Sequence, residues 1–171
     1  IFNYTYAVLH NPEYRKKYEL NLKRDFPRLP FYDDFYKWVS WGKQLMDLHI
    51  DYETVAPFDL QVIDNSSIKD KNYKLKVKLK ADKINHVIAI DEHTHIIGIP
   101  ESAWLYKLGN RSALEWVLDQ YKEKKYTDKT LAENFNTYRF ADHKNHVIDL
   151  LNRVCTVSVE TMKVVDEMAS L

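Results

Sequence analysis

Gly98–Tyr121 reads GIPESAWLYKLGNRSALEWVLDQY: a strand end, a proline-initiated segment and a capped helix follow one another with almost no filler. Ile99-Pro100 closes an apolar run, and proline is well placed at a helix start because its missing N–H would have no partner there. Ser112 and Glu115 stand at the S-x-x-E spacing of a capping box, in which each satisfies a backbone donor of the other. Leu114, Val117, Leu118 and Tyr121 then recur at helical spacing, as a core-facing stripe does. Taken alone, these features describe a well-capped core helix.

Upstream of this stretch, Val87 to Ile99 reads as a β-hairpin, with VIAI and IIGI flanking a polar tip at Asp91 to His95. Tyr73 to Lys80 alternates strictly, with Tyr73, Leu75, Val77 and Leu79 on one face and Lys74, Lys76, Lys78 and Lys80 on the other. That is the pattern of a half-buried strand. Asp51 to Lys71 is irregular, with a turn signal at Asp64-Asn65-Ser66-Ser67. The first fifty residues are helical in pattern. Asn11 is placed to cap a helix beginning at Pro12, and the two prolines of Phe26-Pro27-Arg28-Leu29-Pro30 interrupt it. A further helix is expected from about Tyr32 to Ile50, with Phe35, Trp38, Leu45 and His49 near one face.

Downstream, Glu123 to Asp142 is polar and poorly periodic, as expected of a loop with a short helix. Val147, Leu151, Val154, Ser158, Met162 and Val165 mark one face of a long closing helix, whose periodicity outweighs the β-branched run Val154 to Val159. The fold expected is a single α+β domain, with helices at both ends around a small antiparallel sheet that contains the hairpin.

With 171 residues, 45% of them hydrophobic, the chain is long enough for one packed core and too apolar for a disordered segment. It begins IFNYTYAVLH, inside an apolar pattern and without Met, as expected of part of a longer polypeptide. No run approaches the length of a membrane span. The single Cys155 excludes an internal disulfide and fits a reducing, cytoplasmic setting. The 25 basic and 25 acidic residues balance, unlike those of a freely acting DNA-binding domain, which is usually basic. The charges are unevenly spread, however. Seven lysines between Lys69 and Lys83 face only Asp70 and Asp82, a local balance of +5. Glu13 to Arg28 holds six basic and three acidic residues, a balance of +3.

Three blocks carry a resemblance. GIP…W-x-Y-x-LGNRSALEW-x-x-DQY resembles the C-terminal target-recognition region of Type ISP restriction–modification proteins. YAVLHNPEYRKKYELNLKRDFPRLPF (Tyr6 to Phe31) resembles the helix and PRIP-type turn near the start of that region, and RVCTVSVETMKVVDEM (Arg153 to Met168) its closing helix. The resemblance spans nearly the whole chain, though little of it falls between Asp51 and Lys83. It implies that residues 1–171 are part of a DNA specificity domain, with duplex DNA and the methyltransferase and helicase regions of the same polypeptide as partners. For the parent it further implies N6-adenine methylation with S-adenosylmethionine, and ATP- and Mg-dependent translocation and cleavage. No cofactor is expected in this part of the chain.

Motifs for such chemistry are absent from these residues. Asn11-Pro12-Glu13-Tyr14 is close to the NPPY tetrapeptides of adenine methyltransferases, but Glu stands third and no glycine-rich cofactor loop precedes it. Asp91, Glu92, His93 and His95 sit at strand spacing near His86, and His143 and His146 at helical spacing; both sets lack the further ligands a metal needs. There is no P-loop, and Cys155 lies within an apolar helix. No catalytic residue is assigned, and the chain is not expected to be an enzyme by itself.

The candidate DNA contacts are of two kinds. Arg111, after the Gly109-Asn110 turn, is placed to meet a guanine edge with its bidentate fork, a phosphate, or solvent. Lys74, Lys76, Lys78 and Lys80, about 6.5–7 Å apart along one strand face, suit a phosphate backbone or serve to keep an edge strand from aggregating. Arg15, Lys16, Lys23, Arg24 and Arg28 are candidates for phosphate contacts or simply form a solvated helix face. Trp38, Trp41 and Trp116 suit a core better than a base-stacking platform. A docking module joining the specificity region to the methyltransferase or helicase, without base contacts, is the alternative that zero net charge and abundant Tyr and Trp would fit.

Overall fold

The computed structural model describes residues 1–65 and 76–170. Four N-terminal helices come first: α1 (Phe2–His10), α2 (Pro12–Lys17), α3 (Glu19–Leu22) and α4 (Phe35–Ile50). Strands β1 (Gln61–Asp64), β2 (Val77–Asp82), β3 (Val87–Asp91) and β4 (Thr94–Ile97) follow. Then come α5 (Glu101–Leu105), the short strands β5 (Lys107–Leu108) and β6 (Arg111–Ser112), α6 (Ala113–Gln120), α7 (Lys129–Phe135), a 3₁₀ turn at Phe140–His143 and α8 (Lys144–Ala169). The α+β architecture read from the sequence is the one observed.

Strands β1–β4 form an antiparallel sheet in the order β1-β4-β3-β2. One cross-strand row places Ala81 opposite Ile88 and Ile88 opposite Ile96; both isoleucines are fully buried. The neighbouring row, Lys80–Ala89–His95, therefore lies on the outer face, because successive residues of a strand point to opposite sides. The β2–β3 register shifts between Val77 and Lys80, where Leu79 takes a positive φ of 40°. This bulge admits one extra residue yet keeps Leu79 buried, with Lys78 and Lys80 exposed. Tyr73, Lys74 and Leu75, the first half of the alternating segment, lie outside the described residues.

The hairpin tip is narrower than expected, only Glu92-His93. It is held by the Asp91 carboxylate, which accepts from the backbone N–H groups of His93 (2.8 Å) and Thr94 (2.7 Å). Lys144, at the start of α8, pairs with the same carboxylate at 2.8 Å. Two expectations about boundaries change. The helix expected from Tyr32 starts at Phe35, where Asp34 accepts a hydrogen bond from the Lys37 N–H. The stretch read as irregular contains β1, an edge strand whose Gln61, Val62 and Asp64 are exposed and so leave no apolar signature.

Two apolar clusters make up the interior. The larger joins the sheet to α5, α6 and most of α8, through Ile88, Ile90, Ile96, Leu114, Leu118 and Leu151 among others. The smaller joins α1, α2 and α4 to the far end of α8, through Val8, Tyr14, Trp38, Trp41, Val164 and Met168. At ~1.5 Å per residue, α8 is about 39 Å long and belongs to both. Burial along α8 also explains why its β-branched run stays helical: Val154, Val157 and Val159 all lie in the interior. The helices α1 and α4 cross so closely at Gly42 that a Cβ there would meet the Asn3 carbonyl oxygen at 1.7 Å.

His49 sits where the two clusters meet. Its Nδ1 lies 2.7 Å from the Tyr6 hydroxyl and its Nε2 lies 2.9 Å from Thr161 Oγ1, while the ring stacks on Tyr106 at 5.3 Å. Burial, then the neighbouring His10, lowers its pKa to about 4, so the ring is neutral at ordinary pH.

Candidate nucleic-acid interface

The Gly109-Asn110 turn joins two paired residues, Leu108 and Arg111, which makes it a two-residue hairpin. Gly109 takes the first turn position with φ at 70°, the conformation that a Gly-X hairpin turn requires. The hairpin is tied to α6 in three places. The Trp116 indole donates to the Leu108 carbonyl at 2.7 Å, and the Ala113 N–H donates to the Tyr106 carbonyl at 3.1 Å. The capping box completes the tie: the Ser112 N–H donates to Glu115 Oε2 (2.8 Å), and the Glu115 N–H donates to Ser112 Oγ (3.3 Å).

Arg111 thus leaves a short, fixed segment with its side chain 44% exposed. Its Nη1 lies 3.0 Å from Asp119 Oδ2, and its guanidinium carbon stands 5.5 Å from the centre of the Trp116 ring. Lys122 reaches the other oxygen of Asp119 at 3.1 Å, and Lys83 reaches Glu115 at 2.8 Å. Lys122, then Arg111, holds the Asp119 carboxyl below its ordinary pKa. Where α6 meets β2, Lys80, Arg111, Glu115, Asp119 and Lys122 surround a depression of about 280 Å³. Lys80, Arg111 and Lys122 outnumber Glu115 and Asp119 by one, so the corner carries net positive charge.

Lys78, Lys80 and Lys83 also border a broad cleft of about 880 Å³ on the outer sheet face, with Ala89 and His95. Lys76 is exposed just before β2, and Lys74 lies outside the described residues. Arg15 borders a groove shared with Lys107 and Gly109, which brings the α2 cation to the hairpin turn, where Asn110 is exposed. Lys23, Arg24 and Arg28 belong to another region. Lys23 pairs with Glu19 at 2.6 Å, and Arg28 lines a small pocket with Tyr14, Tyr18 and Phe26. The structure therefore groups Arg111 with Lys80, places Lys78 with Lys80 along the outer sheet face and Arg15 beside the hairpin turn, and leaves the PRIP-type turn in a separate patch.

Lys83 and Lys122 were not among the candidates, and the organising roles of Glu115 and Asp119 were not foreseen. Lys83 lies in the turn after β2, Glu115 and Asp119 lie on α6 and Lys122 just past its end, and no short motif links all four. Two groups considered for chemistry have structural work to do. Asn11 Oδ1 accepts from the Tyr14 N–H at 2.8 Å, which makes Asn-Pro-Glu-Tyr a helix start. Cys155 is buried and its thiol is pushed up to about 12 by that burial. Among the described residues no group of three His, Cys, Asp or Glu side chains is arranged to hold a metal, and no helix is long and apolar enough to cross a membrane.

Trp38 and Trp41 are core residues, packed edge to face at 5.4 Å, whereas Trp116 is 37% exposed beside Arg111. Trp116 also lines an apolar groove of about 660 Å³ with Tyr52, Tyr106, Leu108 and Tyr121. Phe26, Phe31 and Tyr36, in and after the segment that leads into α4, are also exposed.

Comparison with known proteins gives a consistent result. The family model described as Type ISP C-terminal specificity domain matches residues 1–150. The chain is similar to a part of the protein in the cryoEM structure of a DrdV–DNA complex: 51% identity, 97% of this chain, 17% of that one, TM-score 0.87. It is also similar to a nuclease-deletion mutant of the Type ISP restriction–modification enzyme LlaGI in complex with a DNA substrate mimic: 35% identity, 97% of this chain, 13% of that one, TM-score 0.77. The ATP-dependent Type ISP restriction–modification enzyme LlaBIII bound to DNA matches at 31% identity, with 98% of this chain, 11% of that one and a TM-score of 0.78. No curated protein sequence matches. The chain spans less than a fifth of the length of each of these solved chains.

Proposed function

Because the chain belongs to the Type ISP C-terminal specificity domain family, we propose that it reads a short duplex DNA site on behalf of a larger restriction–modification enzyme. Base edges are read in the major groove, and lysine and arginine contacts to phosphates set the register. The observation that carries this reading is the half-exposed Arg111, fixed at the corner of β2 and α6 and flanked by Lys80, Lys83 and Lys122. Lys78 extends the same basic surface along the sheet, and Arg15 extends it past the hairpin turn. A domain with no net charge gains little affinity from bulk electrostatics, so the rest of the polypeptide supplies much of the binding. Adenine methylation with S-adenosylmethionine, and ATP-driven cleavage, fall to those other regions.

Fluorescence anisotropy of the intact polypeptide with duplex DNA at two salt concentrations tests the reading. For every phosphate that is no longer neutralised, the slope of log affinity against log salt falls by roughly 0.9. A Lys78/Lys80/Lys83→Ala variant should flatten that slope by about two to three. An unchanged slope would remove the sheet face from the DNA interface.

A second reading has an observation of its own. Phe26 and Phe31 are almost wholly exposed, and Tyr36 is 82% exposed, more apolar surface than a DNA-facing domain needs. Such a surface suits docking against the methyltransferase or helicase region. Phe31→Ser and Tyr36→Ser would then lower the melting temperature of the intact polypeptide while leaving the salt slope alone.

A further inference from the structure

We propose that Asp119 is a positioning residue: with the Trp116 ring alongside, it fixes the Arg111 guanidinium so that the remaining N–H donors meet the edge of one guanine. This inference rests on the DNA-reading role proposed above and assigns it a specificity-determining contact. The geometry is that of a held fork. Asp119 Oδ2 takes Nη1 at 3.0 Å, the indole lies 5.5 Å from the guanidinium carbon, and the indole is itself tied to the Leu108 carbonyl. Among the described residues, no hydrogen-bond partner is seen for Arg111 Nη2 or Nε, which leaves those donors for a ligand.

Charge separates this role from phosphate binding. A phosphate contact needs only a positive charge, and a mobile ammonium supplies it. Arg111 is largely neutralised by Asp119, so it is a poor phosphate ligand, but its planar donor array keeps the shape that guanine O6 and N7 require. Lys80, at the edge of the same depression, is the neighbouring cation suited to phosphate. Stability does not explain the pair, because ion pairs this exposed contribute little to folding. Asp119 divides its two oxygens between Arg111 and Lys122, and so holds the guanidinium from one side only.

The test is selection of bound duplexes from a randomised pool by the intact polypeptide, followed by sequencing of the bound fraction. The wild type, Asp119→Asn, Arg111→Lys and Arg111→Ala are compared. Random-duplex affinity at two salt concentrations and thermal unfolding are measured in parallel. Asp119→Asn should lose a guanine preference at one position, by about tenfold or more. Its random-duplex affinity should stay equal or rise by up to about threefold, since a negative charge has gone. Arg111→Lys should show the same loss with its salt slope kept, and neither variant should change the melting temperature appreciably. If Asp119→Asn selects the wild-type sequence equally well, the positioning role is wrong. If Arg111→Lys keeps the guanine preference, or Arg111→Ala lowers affinity for all sequences alike, Arg111 is a phosphate ligand. A wild type that binds duplex but selects no sequence sinks the recognition reading, and this inference with it.

Discussion

The indole N–H of Trp116 donates to the carbonyl of Leu108 at 2.7 Å, so the hairpin that carries Arg111 is pinned to the helix that carries Asp119. Removing that one donor while keeping an aromatic ring isolates its contribution. Trp116→Phe should lower stability by about 1 kcal/mol, the usual net contribution of such a bond. Amide exchange at Gly109, Asn110 and Arg111 should speed up relative to the rest of the chain. Uniform exchange across wild type and variant would mean that the capping box alone holds the hairpin.

Lys144 and Asp91 form a pair with a fully buried carboxylate. Lys144→Met leaves that carboxylate with only the His93 and Thr94 N–H groups, and should cost about 3 kcal/mol. Lys144→Met combined with Asp91→Asn should recover part of the loss. Equilibrium urea denaturation of the single and double variants measures the coupling, and strict additivity would show that the two side chains act independently.

His49 makes stability depend on pH in a defined window. Its folded-state pKa, about 4, lies below the 6.5 of an unperturbed histidine, so between those values the unfolded chain binds the proton and the folded one does not. Stability is therefore full above about 6.5, declines as the pH falls toward 4, and levels off below. Discounted for the solvent the ring still meets, the loss should be about 2 kcal/mol. Asp91, whose pKa is lowered, contributes a separate loss only below the ordinary carboxylate range. Denaturation midpoints at pH 7.5, 6.5, 5.5 and 4.5 check this, and His49→Gln should flatten the curve in part, since burial lowers the pKa of His10 as well. A midpoint that rises on acidification would contradict the assignment.

Gly42→Ala should be among the most damaging single changes, because its methyl group would collide with the Asn3 backbone rather than with a flexible side chain. The helices must separate or bend, at about 3 kcal/mol or more. Thermal unfolding of the variant gives the answer directly; a melting temperature within a degree of wild type would mean that α1 can shift freely.

Cys155 should resist thiol reagents in the native protein, since it is buried and its thiolate is scarce when the pKa is pushed up to about 12. Its labelling rate should track global unfolding. Rapid modification without denaturant would reveal local opening of α8.

What was legible in the sequence was what depends on neighbours in the chain. The Ser112–Glu115 box, the Asn11 cap, the Val87–Ile99 hairpin and the periodicity of α8 are all set within a few turns or strands, and all are observed. β1 was not legible, because an exposed edge strand of four residues has no apolar alternation to show. The candidate interface was half visible. Arg111, Lys78 and Lys80 stood out by turn chemistry and alternation. Asp119 did not, because its link to Arg111 depends on how tightly a two-residue turn folds a hairpin onto a helix. Lys83 was hidden for a similar reason: its partner, Glu115, lies across the junction of sheet and helix.

Helix α6 keeps two kinds of residue on separate sides. Leu114 and Leu118 are buried in the core and Glu115 closes the capping box, while Asp119, with Lys122 just past the helix end, stands with Arg111 at the surface. Surface exchanges away from packing usually shift stability by no more than about 0.5 kcal/mol. Asp119 and Lys122 therefore work as an interchangeable faceplate on a fixed chassis: under the DNA-reading role proposed above, the letters met there can be revised without renegotiating the fold that presents them.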